Sequence, residues 1–364
     1  MRSFDQAPFL VIWEVTQSCD LACLHCRASA IPARHPLELT TEEGFRLLEQ
    51  VRAFGDPLMV FTGGDPLKRT DLFDLLRYSV GLGLRTTVTP SATPLLTPAA
   101  VDRFLECGVA RMALSLDGPD AASHDGFRRV PGSFAITLAA LRHARTIGLP
   151  VQINTTVTRR NLHRLAEMAD LVEAEGACLW SVFFLVATGR ALKSDDLSAE
   201  EYEQVFRFLF ERSRRARFDI KTTEAQHYRR FVAQQMKSAG AGFMSGSRAG
   251  GAIGRQAGIN DGKGLVFISH TGDICPSGFL SLAAGNVRRD SLAEVYRRAP
   301  LFRSLRDPAR LGGKCGACEY RNLCGGSRSR AYALTGDYLA EDPRCVYQPL
   351  LLTSRPVSAV APGS

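Results

Sequence analysis

The sequence lacks long apolar runs and blocks of like charge. The apolar stretch FLVIW at 9–13 has only five residues and follows Asp5, so it is too short for a signal core or a membrane span. The formal net charge of +8 is dispersed and no basic segment is interleaved with aromatics. Dispersed positive charge favours anionic partners without indicating nucleic acid. We therefore expect neither a nucleic-acid nor a membrane partner.

The chain also lacks a visible secretory signal, although it contains ten cysteines among its 364 residues. Clustered thiols without such a signal are typical of a reducing compartment, where they bind metal or take part in chemistry. We therefore expect a cytoplasmic protein. Its length allows one large domain and a smaller one, and we find no internal repeat.

Residues 8–186 alternate short apolar runs with amphipathic stretches. The six strand-like runs are PFLVIWEVT, LMVFTGG, LRTTVTP, RMALSLDG, VQINTTVT and LWSVFFLV. The first helical stretch opens with Thr40 followed by Glu43, the spacing of a capping box, and ends near Gly55. Six such units predict an α/β fold with a parallel sheet, either open or curled into a partial barrel.

A different organisation begins after residue 190. Residues 198–216 and 224–238 are predicted to be helical, and the Gly/Ser-rich stretch 238–254 reads as a loop or linker. The run GLVFISHTGDICPSG predicts a hairpin that turns at Thr271 and Gly272. A cysteine-rich, loop-dominated module extends from there to about residue 348, and a disordered tail follows.

Polar stretches bearing Gly or Pro follow five of the predicted strands. They are the cysteine loop SCDLACLHC (18–26), TGGDP (62–66), TPSATP (89–94), SLDGP (115–119) and NTTVT (154–158). In parallel α/β folds, ligands collect at the carboxyl ends of the strands. These stretches therefore predict one active site at a common rim.

The cysteine loop carries Cys19, Cys23 and Cys26 in a C-x3-C-x2-C spacing. Iron–sulfur clusters normally take four cysteines, so three thiolates would hold three irons of a cubane and leave the fourth iron open. The alternative is a zinc site completed by His25 or His35.

With TGGDP and SLDG, the triplet resembles the radical S-adenosylmethionine (SAM) enzymes, in which SAM binds the open iron. The resemblance implies a partial (β/α)6 TIM-type barrel, a [4Fe–4S] cluster and a 5′-deoxyadenosyl radical that abstracts a substrate hydrogen. Carried over by position, the SAM-binding residues are Gly63, Gly64, Asp65, Pro66, Ser115, Asp117 and, more weakly, Asn154. No individual catalytic side chain is assigned. The expected domains are a radical SAM core (1–216), a helical, Gly-rich bridge (217–261), an auxiliary-cluster domain (262–350) and a disordered tail (351–364).

A second cysteine set near the carboxyl terminus supplies four ligands: Cys315, Cys318, Cys324 and Cys345. It resembles the SPASM extension of radical SAM enzymes, which in full form has seven cysteines and two auxiliary clusters. In the full pattern, three further cysteines hold the second cluster. Only one of them, Cys275, has a counterpart here: Ser327 stands at the second position, and no cysteine lies near Ala257, the third. A hydroxyl is a poor soft-metal ligand, so we expect one auxiliary [4Fe–4S] cluster. The alternative is a structural zinc site. Cys275, Cys107 and Cys178 are expected to be ordinary core thiols.

The run CGGSRSRAYALTGDYLAEDPRC is similar to the tetrapyrrole-modifying branch of the family, whose members remove propionate side chains in alternative haem pathways. The resemblance implies that the substrate is a tetrapyrrole side chain or another small anionic metabolite. Arginine suits carboxylates, and Arg128 and Arg190 are weak candidates for contacting substrate or the SAM carboxylate because each follows a strand end. An oxidative peptide maturase is the alternative, although only about seven residues precede the first strand, too few for the usual precursor-binding domain. A non-catalytic iron–sulfur electron carrier and a zinc-stabilised scaffold are the alternatives of other classes. The resemblance to radical SAM enzymes implies a flavodoxin or ferredoxin as electron donor.

Overall fold

The computed structural model describes residues 4–238 and 258–353. Its framework is a sheet of ten described strands in the order β10-β9-β8-β1-β2-β3-β4-β5-β6-β7. The strands are β1 (Leu10–Glu14), β2 (Leu58–Thr62), β3 (Thr86–Val88), β4 (Arg111–Ser115), β5 (Val151–Val157), β6 (Leu179–Phe184), β7 (Asp219–Thr223), β8 (Leu265–Ile268), β9 (Asp273–Cys275) and β10 (Gly285–Asn286).

Helices connect the strands along the chain. They are α1 (Thr41–Arg52), α2 (Leu72–Gly81), α3 (Pro98–Glu106), α4 (Ala121–Arg128), α5 (Ser133–Thr146), α6 (Leu165–Ala174), α7 (Ala199–Ser213) and α8 (His227–Ser238). Five short helices follow β10, at Leu292–Arg298, Pro300–Arg306, Gly313–Ala317, Arg328–Thr335 and Leu350–Thr353. None of the described helices has the length and apolar character needed to cross a membrane.

The sheet is a curled parallel ladder with one face against the helices. β1 to β7 pair in parallel in chain order, and β8 pairs in parallel with the free side of β1. Apolar side chains such as Val11 and Trp13 point outward and are fully buried, since α1 comes so close that a Cβ on Gly44 would lie 2.8 Å from the Trp13 ring. The predicted α/β partial barrel is confirmed, and the six predicted strands correspond to β1–β6.

Helix caps follow the sequence signals. The Thr40 side chain accepts from Glu43 N while the Glu43 carboxylate accepts from Thr40 N, which confirms the predicted capping box of α1. Ser198 and Glu201 form a second box at α7. Each box satisfies backbone donors that a helix amino terminus otherwise leaves unpaired.

The sequence did not predict strand β7, nor did it predict that β8 pairs with β1. β7 lies inside the segment predicted as a helical bridge. This strand was not predicted because Ile220 is its only apolar residue. The predicted hairpin is confirmed as β8 and β9, with Gly272 in the left-handed region (φ 89°), but β8 also extends the barrel sheet. The linker prediction for 239–257 and the tail prediction for 354–364 lie outside the described residues, and the domain boundaries stay predictions.

Candidate active site and auxiliary cysteine site

Three cysteine thiols lie at the carboxyl end of the parallel strands, in the loop that follows β1. Cys19, Cys23 and Cys26 line one cavity. Its volume, including the space at its open mouth, is about 1010 Å³. Cys19 N donates to Ile31 O over 2.8 Å, which closes the loop at its base. The structure thus brings the three predicted ligands to one cavity.

Each of the three sulfur atoms accepts a hydrogen bond from a neighbouring N–H group. The donors are Leu21 N to Cys19 (3.3 Å), Ala30 N to Cys26 (3.4 Å) and Arg128 Nη1 to Cys23 (3.5 Å). Such donors stabilise a thiolate, the form that binds metal. Burial acts in the opposite direction and raises the pKa of Cys19 to about 11. Because this buried thiol is hard to ionise by itself, a bound cation is needed to favour its thiolate form.

The end of β2 runs directly against the cysteine loop, and two glycines permit this approach. A Cβ on Gly63 would lie 2.6 Å from Thr16 O, and one on Gly64 would lie 2.4 Å from Ser18 O. Gly64 N donates to Thr16 O over 2.8 Å. Both glycines line the cavity, so they expose backbone to whatever binds beside the thiols.

Asp65, which follows these glycines, is fully buried, and its carboxylate has a structural role. Its carboxylate accepts from Thr93 Oγ1 (2.7 Å), Ser91 N (3.2 Å) and Leu67 N (3.2 Å). Pro66 begins the 3₁₀ turn that Asp65 caps. Because these bonds join the end of β2 to the loop after β3, Asp65 fixes the wall of the cavity without lining it.

Ser115 and Asn154 are register partners on β4 and β5, and both side chains line the cavity. Asp117 is buried behind them, where it accepts from Thr156 N over 2.7 Å and forms an ion pair with Arg128. Although burial raises it, the charge of Arg128 holds the pKa of Asp117 below its ordinary value. The structure therefore places Ser115 and Asn154 at the predicted site and pairs Asp117 with Arg128, and a contact of Asp117 with SAM stays a prediction. A contact of Arg128 with SAM or substrate stays a prediction.

Arg190 clamps the cysteine loop from the segment after β6. Its Nε donates to Cys23 O and its Nη1 to Ala30 O, both over 2.9 Å, and its backbone N donates to Cys26 O over 3.0 Å. Gly189 has φ 60°, and a Cβ there would lie 2.3 Å from Cys26 O. Arg190 thus donates to backbone carbonyls of the loop through Nε and Nη1, while its Nη2 is buried without a protein partner, and its contact with SAM or substrate stays a prediction.

Several cavity residues escaped sequence analysis. Phe183 on β6 and Phe279 after β9 line it with ring centroids 6.4 Å apart. Arg27, directly after the cysteine loop, forms an ion pair with Glu14 on β1 over 2.6 Å. The Glu14 carboxylate also contacts His270 over 2.7 Å. No local sequence signal marks Phe279, since long-range folding alone brings it to the rim.

The four carboxyl-terminal cysteines line a second cavity of about 410 Å³. Three of their sulfur atoms accept backbone hydrogen bonds: Asp342 N to Cys315 (3.4 Å), Tyr320 N to Cys318 (3.4 Å) and Gly326 N to Cys324 (3.3 Å). Burial raises the pKa of Cys345 to about 11. The predicted quartet is therefore brought together in a setting like that of the triplet.

Ser327, which stands where the full pattern has a cysteine, belongs to a buried polar network. Its hydroxyl donates to Glu224 Oε2 over 2.5 Å and accepts from Arg330 N over 3.0 Å. Arg330 is paired in turn with Asp342 over 3.0 Å. Cys275, at the end of β9, is buried, and burial raises its pKa to about 12. The Ser327 hydroxyl is thus committed to protein partners.

Comparison with known proteins identifies the family. The model of the Radical SAM superfamily matches residues 13–172. The chain is 40% identical over 349 residues to the "AdoMet-dependent heme synthase" of Methanosarcina barkeri, covering 96% of this chain and 99% of that protein. It is 43% identical over 346 residues to the protein of the same name from Nitratidesulfovibrio vulgaris, covering 94% of each. The chain belongs to the radical SAM superfamily.

A solved structure of the radical SAM fold agrees over most of the molecule. Streptococcus suis SuiB bound to precursor peptide SuiA superposes with a TM-score of 0.71 at 19% identity, covering 94% of this chain and 76% of SuiB. The likeness shows a common fold for the barrel and the region that follows it. As a radical SAM protein the chain is an enzyme, so the electron-carrier and scaffold alternatives are set aside.

Radical SAM enzymes use a [4Fe–4S] cluster and SAM, and the first cavity fits both. Three soft thiolate donors with N–H partners lie on one wall, the Gly63–Gly64 backbone and the Ser115 and Asn154 side chains are exposed beside them, and open space adjoins. Among residues 4–238 and 258–353, no three His, Cys, Asp or Glu side chains converge as closely as a single metal ion requires.

Proposed function

We propose that this radical SAM enzyme makes haem from a tetrapyrrole precursor by converting propionate side chains to vinyl groups. The observation that carries the proposal is the identity of 40% and 43%, over 94–96% of the chain, to two proteins named AdoMet-dependent heme synthase.

Within the first cavity, we assign cluster binding to Cys19, Cys23 and Cys26. When bound there, the reduced cluster supplies one electron for cleavage of SAM. SAM contacts are assigned to the residues that line the same cavity: the backbone of Gly63 and Gly64 and the side chains of Ser115 and Asn154. Asp65, Pro66 and Asp117 fix the positions of these residues from behind.

The remaining walls suit a large planar substrate. Phe183 and Phe279 offer two aromatic rings to the cavity, and Leu185 and Val186 add aliphatic surface. A tetrapyrrole face packs favourably on such rings. An apolar wall also keeps water and stray hydrogen donors away from a reactive radical.

The carboxyl-terminal quartet, in our proposal, holds the single auxiliary [4Fe–4S] cluster. Four cysteines around one cavity are a complete ligand set. The commitment of Ser327 to Glu224 and Arg330 supports one auxiliary cluster and not two, because that network occupies the position of a further ligand.

The proposed reaction balances without a net external electron. For each vinyl group formed, SAM and a propionate give methionine, 5′-deoxyadenosine, CO₂ and the vinyl product. The substrate hydrogen ends on 5′-deoxyadenosine, and the one electron released when the substrate radical loses CO₂ balances the one electron taken up in cleaving SAM. Formation of 5′-deoxyadenosine should therefore rise in proportion to vinyl formation.

The test is anaerobic incubation of the reconstituted enzyme with dithionite, SAM and Fe-coproporphyrin III, followed by mass spectrometry. We expect haem and 5′-deoxyadenosine in wild type and neither in Cys23→Ala. Cleavage of SAM with no loss of CO₂ from the tetrapyrrole would overturn the substrate assignment, and absence of SAM cleavage in fully loaded protein would contradict the assigned site.

Peptide maturation is the second candidate, since SuiB was crystallised with a precursor peptide. At 19% identity this likeness concerns the fold alone. Turnover that needs a peptide rather than a tetrapyrrole would favour it. For either substrate, we propose a flavodoxin or ferredoxin as electron donor and the reducing cytoplasm as location, because thiolate-bound clusters require a reducing compartment.

A further inference from the structure

Phe183 and Phe279 form one aromatic wall of the cavity that holds the three thiols, although they belong to different parts of the chain. Phe183 lies on β6, whereas Phe279 lies in the loop that follows β9. Their ring centroids are 6.4 Å apart and their planes are inclined by 48°, a separation at which aromatic rings are in contact. The shape of this wall therefore depends on how the loop after β9 is held against the barrel.

Arg27 holds this loop from the barrel side. It directly follows Cys26 in the sequence, and its Nη1 donates to Gly278 O over 3.3 Å. A Cβ on Gly278 would lie 3.0 Å from Arg27 Nε, so the loop backbone packs directly on the guanidinium group. The guanidinium carbon also lies 4.8 Å from the centroid of the Phe267 ring on β8. Arg27 thus connects the cysteine loop to the residue next to Phe279.

The charge of Arg27 is matched within the protein. Glu14 on β1 is buried, accepts from Arg27 Nη2 over 2.6 Å and contacts His270 Nδ1 over 2.7 Å. Although burial raises it, the Arg27 charge and the His270 hydrogen bond hold the pKa of Glu14 below its ordinary value. A buried, ionised carboxylate fixes the guanidinium group in one orientation through a charge-assisted hydrogen bond. Arg27 is therefore suited to holding the loop rather than to meeting a substrate carboxylate.

A second contact holds the same loop from the carboxyl-terminal side. The Ser277 hydroxyl accepts from Phe279 N over 3.2 Å and from Leu280 N over 3.1 Å. Its oxygen also lies 3.2 Å from the hydroxyl of Ser329, which is buried. Leu280 is fully buried as well, so the backbone on both sides of Phe279 is fixed. Phe279 is thus held between two anchors, Ser277 and Arg27.

We propose that Arg27 is a positioning residue that holds Phe279 in the cavity wall on which the macrocycle of the substrate packs. The inference rests on the proposed function, since a tetrapyrrole supplies the large planar face that an aromatic wall recognises. Because Arg27 acts through the Gly278 carbonyl, its effect on substrate binding requires the Phe279 ring. That effect does not require the carboxylates of the substrate.

The experiment titrates Fe-coproporphyrin III into anaerobic, cluster-loaded enzyme and follows its absorbance. Phe279→Leu keeps an apolar side chain but removes the ring, and Arg27→Lys keeps the charge beside Glu14 but removes the planar fork. We expect each change to weaken binding about 3-fold to 10-fold, and Arg27→Lys to cause little further loss once Phe279→Leu is present. Arg289→Lys makes the same change at an exposed arginine after β10 and should bind like wild type.

A second probe separates packing from charge. Arg27→Lys and Phe279→Leu should weaken binding of the tetramethyl ester of the same compound by the same factors as binding of the free acid. A loss in Arg27→Lys that disappears with the ester would show that Arg27 contacts a carboxylate directly, and it would overturn the proposal. Losses that multiply fully in the double variant, or equal binding by wild type and Arg27→Lys, would overturn it too.

Iron content is measured in the same samples, because Arg27 adjoins Cys26. Should Arg27→Lys lose iron, Gly278→Ala decides, since its Cβ would press against Arg27 and Phe267 and move the loop without altering Arg27. Gly278→Ala should weaken binding of both compounds, and binding equal to that of wild type would overturn the inference alone. Failure of wild type to bind or convert Fe-coproporphyrin III would instead overturn the proposed function and this inference with it.

Discussion

At the scale of single residues, buried charge partners hold the turn after β4 that presents Ser115. His124 is almost fully buried, and its Nδ1 accepts a hydrogen bond from Asp117 N over 3.1 Å. Burial first, then the nearby Arg128 charge, lower the pKa of His124 to about 4, against the opposing effect of Asp117 and Asp125. The neutral ring is therefore the form that the folded chain requires.

The first prediction follows from this histidine. Since its folded pKa lies below its ordinary value of 6.5, its contribution is fully present above about pH 6.5 and is lost as pH falls toward 4. The stability advantage of wild type over His124→Asn should shrink by roughly 2 kcal/mol between about pH 7.5 and about pH 5. Anaerobic melting temperatures of both proteins across this range would check it. Parallel pH profiles would show that the ring is not held neutral.

At the scale of elements, the cysteine loop takes its shape from the segments on either side of it. The end of β2 reaches it through Gly63 and Gly64, and the segment after β6 reaches it through Gly189 and Arg190. Unpaired backbone carbonyls are costly when enclosed, so the Arg190 guanidinium stabilises the loop by satisfying two of them. The loop is therefore shaped by tertiary contacts, although its ligands are adjacent in sequence.

The second prediction concerns this clamp. Arg190→Lys has one ammonium in place of a planar fork, so it should hold the two carbonyls less well and lower the iron retained by the first site by about half or more. Iron and sulfide analysis after anaerobic purification would measure it, in a variant whose auxiliary cysteines are replaced by alanine.

The matched control is Arg215→Lys, an exposed arginine on the segment between α7 and β7. It should retain as much iron as the parent protein. Equal iron in the Arg190 and Arg215 variants would show that the clamp does not support cluster binding. Iron loss confined to Arg190→Lys would locate the effect at the loop.

At the scale of the whole molecule, the carboxyl-terminal part is joined to the barrel by strand pairing and by buried polar contacts. β8 pairs with β1, from Leu10 opposite Leu265 onward. Arg344 forms an ion pair with Asp196 over 2.8 Å, and the Ser327 hydroxyl bonds to Glu224. These contacts place the quartet cavity beside α8, which contributes His227 to its lining.

The third prediction is the iron content of cysteine variants. Wild type should bind about eight iron atoms, and replacing Cys19, Cys23 and Cys26 by alanine should leave about four. Replacing the quartet should likewise leave about four, since the two ligand sets line separate cavities. Circular dichroism would verify that each variant is folded. Iron sufficient for two clusters in the triplet variant would contradict a single auxiliary cluster.

Sequence reasoning succeeded where the signal is local and failed where register decides. The alternation of apolar residues and the Thr40–Glu43 spacing predicted β1–β6 and the cap of α1, because these depend on neighbouring residues. β7 was missed because DIKTT has a single apolar residue, and its strand conformation depends on pairing with β6. The ion pair of Asp117 with Arg128 and the hydrogen bonds from Arg190 to the cysteine loop depend on tertiary contacts that the sequence did not indicate, and the contacts of these residues with SAM or substrate stay predictions.

The sequence by itself determined which thiols lie together, because C-x3-C-x2-C and the carboxyl-terminal quartet place their cysteines within short stretches of chain. Only the tertiary structure decided which charges are matched within the barrel. Sheet register and long-range packing pair Arg27 with Glu14 and Arg128 with Asp117. Such matching depends on distances across strands that no local pattern encodes.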